Sequence, residues 1–439
     1  MIEIFAIYLQ LIIFIIIFQF PLNQIILNKY SLLKFDYFGI LTLNIIIHSF
    51  FYLIVSFTAI NHQIYFFFQI FFGIIFFIFN SLKYFKNFKI NLNENISLII
   101  IFLLFNIILF TYIALNLKLE WDGLLHWMQK AKVFFQGGTF SDIKNVSFSY
   151  YPHFGTFLWG FFWKNSFLQL EYFGRLILPF FYLSGILFCI SSLFKKENLL
   201  LKILLLLLIT TLTLDYYLLG GYQDYYLFFE ILIFSKLFYI YQNKNSKLLF
   251  WLLFLDLVLM LWTKQEGFFY NIILSIIFVM FCNKANKTRF LFIVLVISSL
   301  LIQIYIKNKF IGSFEFNEKI FHDDLLNYLQ ISKFFEVFIL ISKHIFISIF
   351  RYPIWILIIL VLIFSRFSNK NDKLFKSSIV YLFIFFIFVY LIYFQTSMDL
   401  NFLLPITIDR ILLQGSGFMI YPVLIFLKKF IEKKKIHKI

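Results

Sequence analysis

The chain has 439 residues, of which 62% are apolar and 14% are charged, and its net charge is +16. Soluble domains carry roughly 45–50% apolar and 25% charged residues, and a water-facing body of this size cannot bury so much apolar surface. The composition therefore excludes a soluble globular enzyme and indicates a polytopic membrane protein. The basic residues occur in short clusters between apolar segments, as in cytoplasmic loops, so the charge does not indicate a nucleic-acid partner.

In chain order, apolar segments alternate with basic clusters and predict an all-α membrane protein with about 13 transmembrane helices. We place the basic C-terminal tail, residues 431–439, in the cytoplasm, which puts the N-terminus outside. The segments then expected on the non-cytoplasmic side are 61–63, 116–171, 215–224, 264–266, 307–342 and 395–410. Most of the 22 acidic residues lie in these segments, and this collection on one face favours chemistry at the outer membrane surface.

Two of the external segments, 116–171 and 307–342, are long enough to fold over the membrane. The first is rich in Trp, Tyr, Gly and charged residues. In the second, apolar residues at helical spacing predict an amphipathic helix at 324–335. The adjacent His322, Asp323 and Asp324 are not expected to bind a metal, because neighbouring residues on a helix do not converge on one ion.

The first long external segment opens with charged residues at helical spacing. If it is helical, Asp122, His126 and Lys130 share one face, with a carboxylate at the boundary between water and lipid and a cation beneath it. Trp121 and Trp127 suit this interface, since their rings are apolar and their N–H groups are polar. A cap of the helix that starts here is the alternative role for Asp122.

Two further acids lie deeper in the predicted membrane spans. Glu230 follows Asp224 by six residues, and Asp256 lies in the middle of a span. Intramembrane carboxylates are expensive and suggest function by default. A protonated or interhelical hydrogen-bonded group is the alternative for each.

Four motifs, in this order, resemble those of membrane glycosyltransferases of the C-type fold (GT-C), in particular bacterial relatives of protein O-mannosyltransferases and lipid A aminoarabinose transferases. The resemblance covers roughly residues 96–429. Its motifs are Glu120-Trp121-Asp122 with the following Trp127, Lys130-Ala131-Lys132, Gly137-Gly138 and Tyr151-Pro152-His153; Gly221-Tyr222-Gln223-Asp224; Thr263-Lys264-Gln265-Glu266-Gly267; and the segment from Asp399-Leu400 through Ile408-Asp409-Arg410 to Gln414.

The resemblance implies a GT-C-like catalytic region at 96–430, which includes the external loops 116–171 and 307–342. Residues 1–95 are then accessory transmembrane helices, an arrangement that departs from the single span usual before the first loop. It also implies a multi-pass protein of the bacterial inner (cytoplasmic) membrane with an outward-facing site. Membrane lipids and a polyprenyl-phosphate-linked sugar donor are its expected partners, with a glycan, lipid or protein as acceptor.

In such a reaction a carboxylate accepts the proton of the acceptor hydroxyl, and basic groups hold the phosphate of the leaving lipid. Asp122 is the expected general base, with inversion at the anomeric carbon. The other expected substrate-binding residues are Glu120, His126, Lys130, His153, Arg175, Asp224, Lys264, Glu266, Asp409 and Arg410. Cofactor use stays open, including a divalent cation held by Glu120, Asp122 and Asp224.

The same residues have ordinary structural alternatives. These are a helix cap at Asp224, a solvated turn at Lys264 and Glu266, an ion pair between Glu171 and Arg175, and snorkelling of Arg410 to the interface. Two other functions also remain open. One is a transporter or flippase of a lipid-linked or soluble substrate, and the other is a non-catalytic subunit of an envelope-polysaccharide assembly.

Overall fold

The computed structural model describes residues 2–23, 35–86, 92–193, 199–244, 246–282, 286–311, 331–366, 373–396 and 399–436. These residues form α-helices joined by short 3₁₀- and π-helical turns, with no strand among them. In chain order the α-helices are α1 (Ile2–Ile17), α2 (Tyr37–Ser56), α3 (His62–Lys86), α4 (Leu92–Leu115), α5 (Gln129–Phe135), α6 (Phe154–Lys164), α7 (Tyr172–Arg175), α8 (Ile177–Ser191), α9 (Leu199–Thr213), α10 (Asp224–Lys244), α11 (Lys247–Thr263), α12 (Glu266–Phe281), α13 (Asn286–Phe310), α14 (Ile331–Arg351), α15 (Ile354–Arg366), α16 (Lys373–Gln395) and α17 (Leu400–Ile436).

Within the described ranges, seven helices are long and apolar enough to cross a membrane, or eight if the bent pair α14 and α15 is one span. Three more apolar helices, α1, α9 and α12, are shorter. Many large apolar side chains point outward from these helices, for example Phe67 and Phe383. Apolar surface of this extent needs lipid around it, which confirms an all-α, multi-pass membrane protein.

The helices divide into a buried centre and a lipid-facing rim. The span Tyr172–Ser191 is fully buried and the span Leu400–Ile431 is 89% buried, whereas only 17% of the span Asn286–Phe310 is buried. Helix α10 lies at the centre and packs against α17, α11 and α8. The N-terminal helix α2 also belongs to this interior, because it packs against α8 and α11.

The second long external segment differs from its prediction. Helix α13 continues to Phe310, and the amphipathic helix that the structure describes is α14, Ile331–Arg351, which begins within the predicted 324–335 and extends well beyond it. Residues 324–330 and the His322-Asp323-Asp324 cluster lie outside the described residues. Helix α14 meets α15 at 93°, with the bend at Tyr352-Pro353. Proline disfavours helical conformation in the residue before it, which explains the break.

Candidate active site

Five charged side chains from four separate segments meet at one end of the helix bundle. Asp122 lies at the start of a π-helix, Gly123–Met128, in the first long loop. Asp224 begins α10, Lys264 and Glu266 flank the turn between α11 and α12, and Arg410 lies in α17. We call these five residues the charge cluster.

Ion pairs connect all five members of the charge cluster. Arg410 Nη1 lies 2.6 Å from Asp122 Oδ2, and Arg410 Nη2 lies 3.1 Å from Asp224 Oδ2. Lys264 Nζ lies 2.9 Å from Asp224 Oδ1 and 2.9 Å from Glu266 Oε1. Both cations therefore pair with Asp224. Each also pairs with one acid at the edge of the cluster, Arg410 with Asp122 and Lys264 with Glu266.

Burial differs across the charge cluster. The Asp224 side chain is fully buried, while those of Asp122 and Glu266 are 17% and 23% exposed. A buried carboxylate is tolerated only when it is paired and hydrogen-bonded, as Asp224 is. Asp122 and Glu266 are thus the carboxylates that a ligand can reach from outside.

The structure rules out several structural alternatives for these residues. The side chain of Asp122 makes no helix-capping hydrogen bond and pairs with Arg410 instead. Both oxygens of Asp224 accept hydrogen bonds from side chains of other segments, Lys264 of the α11–α12 turn and Arg410 of α17. Lys264 is buried, so the turn that contains it is not a solvated one.

Two residues that sequence reasoning left out of the site complete the charge cluster. Gln414 Nε2 donates to Asp224 Oδ1, and the Tyr222 ring lies 4.3 Å from the guanidinium carbon of Arg410, within cation–π range. Gln414 follows Arg410 by four residues on α17, so helical spacing could have identified it. Tyr222 belongs to the motif Gly221-Tyr222-Gln223-Asp224, but nothing in its spacing indicated the contact with Arg410.

Close backbone packing holds the Asp122 segment against the start of α10. The backbone N–H of Glu120 donates to the Gly220 carbonyl oxygen at 3.0 Å. A Cβ atom at Gly123 would lie 2.4 Å from that same oxygen, and Gly221 has a φ of +102°. Only glycine allows this approach and this backbone conformation, so the glycines set the position of Asp122 relative to Asp224.

We expect Gly123→Ala to disturb the charge cluster without touching a charged residue. The added methyl group meets backbone, which cannot rotate away, so the unfolding free energy should fall by about 1–3 kcal/mol and the Asp122–Arg410 contact should loosen. Thermal unfolding in detergent measures the first effect. Leu124→Ala is the matched control, because Leu124 is the next residue and is 45% exposed. Equal stability of the two variants would contradict the packing described here.

The structure places His126 beside Asp122, while Lys130 has a different partner. His126 Nε2 lies 3.8 Å from Asp122 Oδ1, and Lys130 Nζ donates to the Tyr151 carbonyl oxygen at 3.0 Å. Residues Gly123–Met128 form a π-helix, in which hydrogen bonds span five residues, so the α-helical spacing from which a shared face was predicted does not apply there, and the shared face stays a prediction for Lys130. Such π-helical turns occur frequently at functional sites.

Lys130 and His153 lie in the packing beneath the loop and make no ion pair with the charge cluster. Both are fully buried, and His153 Nε2 shares a 2.7 Å hydrogen bond with Ser56 Oγ of α2. Burial lowers the pKa of Lys130 well below its ordinary value. Burial likewise lowers the pKa of His153, and the nearby Lys130 and Lys307 charges lower it further.

The neutral state of His153 predicts a loss of stability in acid. Since the folded pKa lies below the unfolded value of about 6.5, the unfolded chain binds more protons below that pH. The contribution of His153 to the unfolding free energy should then be constant above about pH 6.5 and fall below it, by at most about 1.4 kcal/mol per pH unit. Melting temperatures in detergent between about pH 7.5 and 5.5 measure the slope. His153→Gln should make the slope shallower, and an unchanged slope in that variant would exclude His153 as a source.

Arg175 is a structural anchor near the site. It pairs with Glu171 at 3.0 Å, and its two terminal nitrogens also point at the carbonyl oxygens of Leu117 and Leu219. These carbonyls precede the Glu120 motif and the Gly220-Gly221 turn. Arg175 therefore holds both segments in position. Its contact with Glu171 is the ion pair that the sequence offered as the alternative to a role in substrate binding.

The remaining two predicted site residues lie beside the charge cluster. Glu120 pairs with Lys118 at 3.4 Å and lines a separate cavity. Asp409 accepts hydrogen bonds from Ser348 and Arg351, so it holds the end of α14 against α17. Within the described ranges, no three or more His, Cys, Asp or Glu side chains are arranged to hold a metal ion.

No protein-family model, curated protein or solved structure matches this chain. The long apolar helices by themselves define the class of multi-pass, all-α membrane proteins.

Proposed function

We propose that the protein is a membrane glycosyltransferase that moves a sugar from a polyprenyl-phosphate donor to an acceptor on the non-cytoplasmic side of the membrane. The observation that carries this proposal is the charge cluster: two cations held between three acids, with Asp122 accessible at its edge. In sequence, Asp122 and Arg410 are 288 residues apart, so the whole fold is needed to join them.

The chemistry requires a base and a phosphate-binding group at one place. The acceptor oxygen forms a bond to the anomeric carbon as its proton moves to Asp122, and the bond from that carbon to the phosphate oxygen breaks with its electron pair. Polyprenyl phosphate leaves, and its developing charge is stabilised by Arg410 and Lys264. Arg410 has five N–H donors, so it can bind phosphate oxygens while it keeps its contact with Asp224. Attack from the face opposite the phosphate inverts the anomeric carbon.

The finer assignments follow from the resemblance to GT-C glycosyltransferases. They are a GT-C-like catalytic region at 96–430 and a bacterial inner membrane with the site facing outward. The expectation of about 13 spans comes instead from the alternation of apolar segments and basic clusters along the chain. The support from the structure is that Asp224, Lys264 and Glu266 lie at helix ends, and that the exposed Trp121, next to Asp122, suits an interface.

The direct test uses the full chain in lipid nanodiscs with radiolabelled polyprenyl-phosphate sugars. We expect transfer of label to a glycan, lipid or peptide acceptor, with release of unlabelled polyprenyl phosphate. Absence of both transfer and donor binding over a panel of polyprenyl-phosphate sugars would contradict the proposal.

A transporter is the second candidate, and two buried acids favour it. Asp256 is fully buried and neither carboxylate oxygen has a hydrogen-bond partner within the described structure. Glu230 accepts a hydrogen bond from Thr263 through one oxygen, while its other oxygen has none. Buried acids of this kind mark proton or ion paths in many membrane proteins. Uptake into proteoliposomes that depends on Glu230 and Asp256, and not on Asp122, would select this function instead.

A further inference from the structure

A polar cavity lies directly behind the turn that carries Gly220. Its volume is about 240 Å³, and its walls come from the end of α4, the residues that follow it, and the 3₁₀ turn Tyr216–Leu219. Its aromatic and polar lining side chains are Tyr112, Asn116, Lys118, Glu120, Tyr216 and Tyr217. None of the charge-cluster residues lines it.

The lining combines aromatic rings with neutralised polar groups. Tyr216 and Tyr217 are each 47% exposed, and the Tyr112 and Tyr216 rings pack at 4.5 Å. Lys118 and Glu120 form an ion pair, so the cavity carries no net charge from them. A free anion or cation is therefore not favoured, and neither is a lipid tail, because hydroxyl, amide, ammonium and carboxylate groups would lose their water without replacement.

A pyranose ring matches this lining. Its C–H face packs on the negative face of an aromatic ring, and its hydroxyls both donate and accept hydrogen bonds. Here the amide of Asn116, the Glu120 carboxylate and the Lys118 ammonium supply both kinds of partner. The volume lies below the roughly 300–1,000 Å³ of pockets for drug-sized ligands, which favours one sugar ring over a longer chain.

The cavity is separated from the charge cluster by a thin wall. Tyr217, which lines the cavity, makes a 2.8 Å hydrogen bond through its hydroxyl with the Tyr222 hydroxyl. The Tyr222 ring in turn lies beside Arg410 of the charge cluster. Glu120, which lines the cavity, is two residues from Asp122. A glycan ring in the cavity would therefore lie next to the segment that carries Asp122.

We propose that this cavity binds one pyranose ring of a carbohydrate acceptor beside the segment that carries Asp122. The proposal rests on the glycosyltransferase function and makes it specific, because it assigns the acceptor to a glycan. It also makes Tyr216 and Asn116 acceptor-binding residues.

The test measures sugar binding separately from transfer. Saturation-transfer NMR with methyl α-D-mannopyranoside and methyl β-D-glucopyranoside is recorded on the full chain in nanodiscs. We expect millimolar binding of at least one glycoside and a loss of about tenfold or more in Tyr216→Ala and in Asn116→Ala. Tyr8→Ala is the matched control, since Tyr8 is also about half exposed but lies on α1.

The outcomes distinguish a failure of the sugar-site proposal from a failure of the proposed glycosyltransferase function. Asp122→Asn should keep wild-type sugar binding, because Asp122 does not line the cavity. If the wild-type chain binds neither glycoside, or Tyr216→Ala binds as the wild type does, the cavity is not a sugar site, and transfer by the wild type would still uphold the glycosyltransferase. If binding depends on Tyr216 but no donor is ever consumed, the sugar site stands and the transferase proposal fails.

Discussion

Replacing Asp122 with asparagine should lower the turnover number by about 10²–10⁴-fold, the range that general-base catalysis contributes. Asparagine keeps the shape of the side chain and can still accept a hydrogen bond from Arg410, but it cannot take a proton from the acceptor. The protein should therefore fold, and it should bind the donor with little change. Initial rates of sugar transfer and donor affinity, measured on the same nanodisc preparation, separate the two effects.

The control for this variant is Asp142→Asn. Asp142 belongs to the same external loop, but it is exposed and bonds to Thr139 rather than to the charge cluster. It should retain wild-type turnover. Wild-type turnover in Asp122→Asn would show that Asp122 is not the general base, and this conclusion would not depend on the roles of the other site residues.

Replacing Arg410 with glutamine should have the largest effect on stability. Asp224 is fully buried and keeps only Lys264 as a cationic partner, while Asp122 loses its pair. Removing one partner of a buried ion pair typically costs about 3–5 kcal/mol. Thermal unfolding in detergent should show this loss, and donor binding should weaken because the phosphate loses its main ligand.

Two further variants test the cause of that loss. Arg351→Gln breaks the neighbouring pair with Asp409, but the Arg351 side chain is 65% exposed, so the expected change is only about 0–1 kcal/mol. Adding Asp224→Asn to Arg410→Gln should restore part of the stability, because it removes the uncompensated buried charge. Additive losses in the double variant would mean that the two residues do not interact.

The fold class could be predicted from composition because lipid selects long apolar helices so strongly. Tyr37–Ser56 is an example: its apolar content alone indicates a membrane helix. Its place in the centre of the bundle could not be read from the sequence, because hydropathy does not distinguish a lipid-facing helix from a buried one. The accessory role of residues 1–95 stays a prediction.

The charge cluster was predictable only as a set of candidates. Asp122, Asp224, Lys264 and Arg410 all lie at predicted helix ends on one face, and this shared position is what sequence can indicate. Which of them pair is decided by packing. The π-helix at Gly123–Met128 has no simple sequence pattern, so the contact of Lys130 with the Tyr151 carbonyl oxygen could not be read from α-helical spacing.

The most direct test of the account is the membrane side on which the Asp122 segment lies. Trp121 is 61% exposed and precedes Asp122, while both native cysteines, Cys189 and Cys282, are buried. A Trp121→Cys variant in intact cells is treated with a membrane-impermeant maleimide, with inverted vesicles as the opposite orientation. We expect labelling from outside the intact cells and none in sealed inverted vesicles. Labelling only from the cytoplasmic side would place the charge cluster inside the cell and contradict an outward-facing glycosyltransferase.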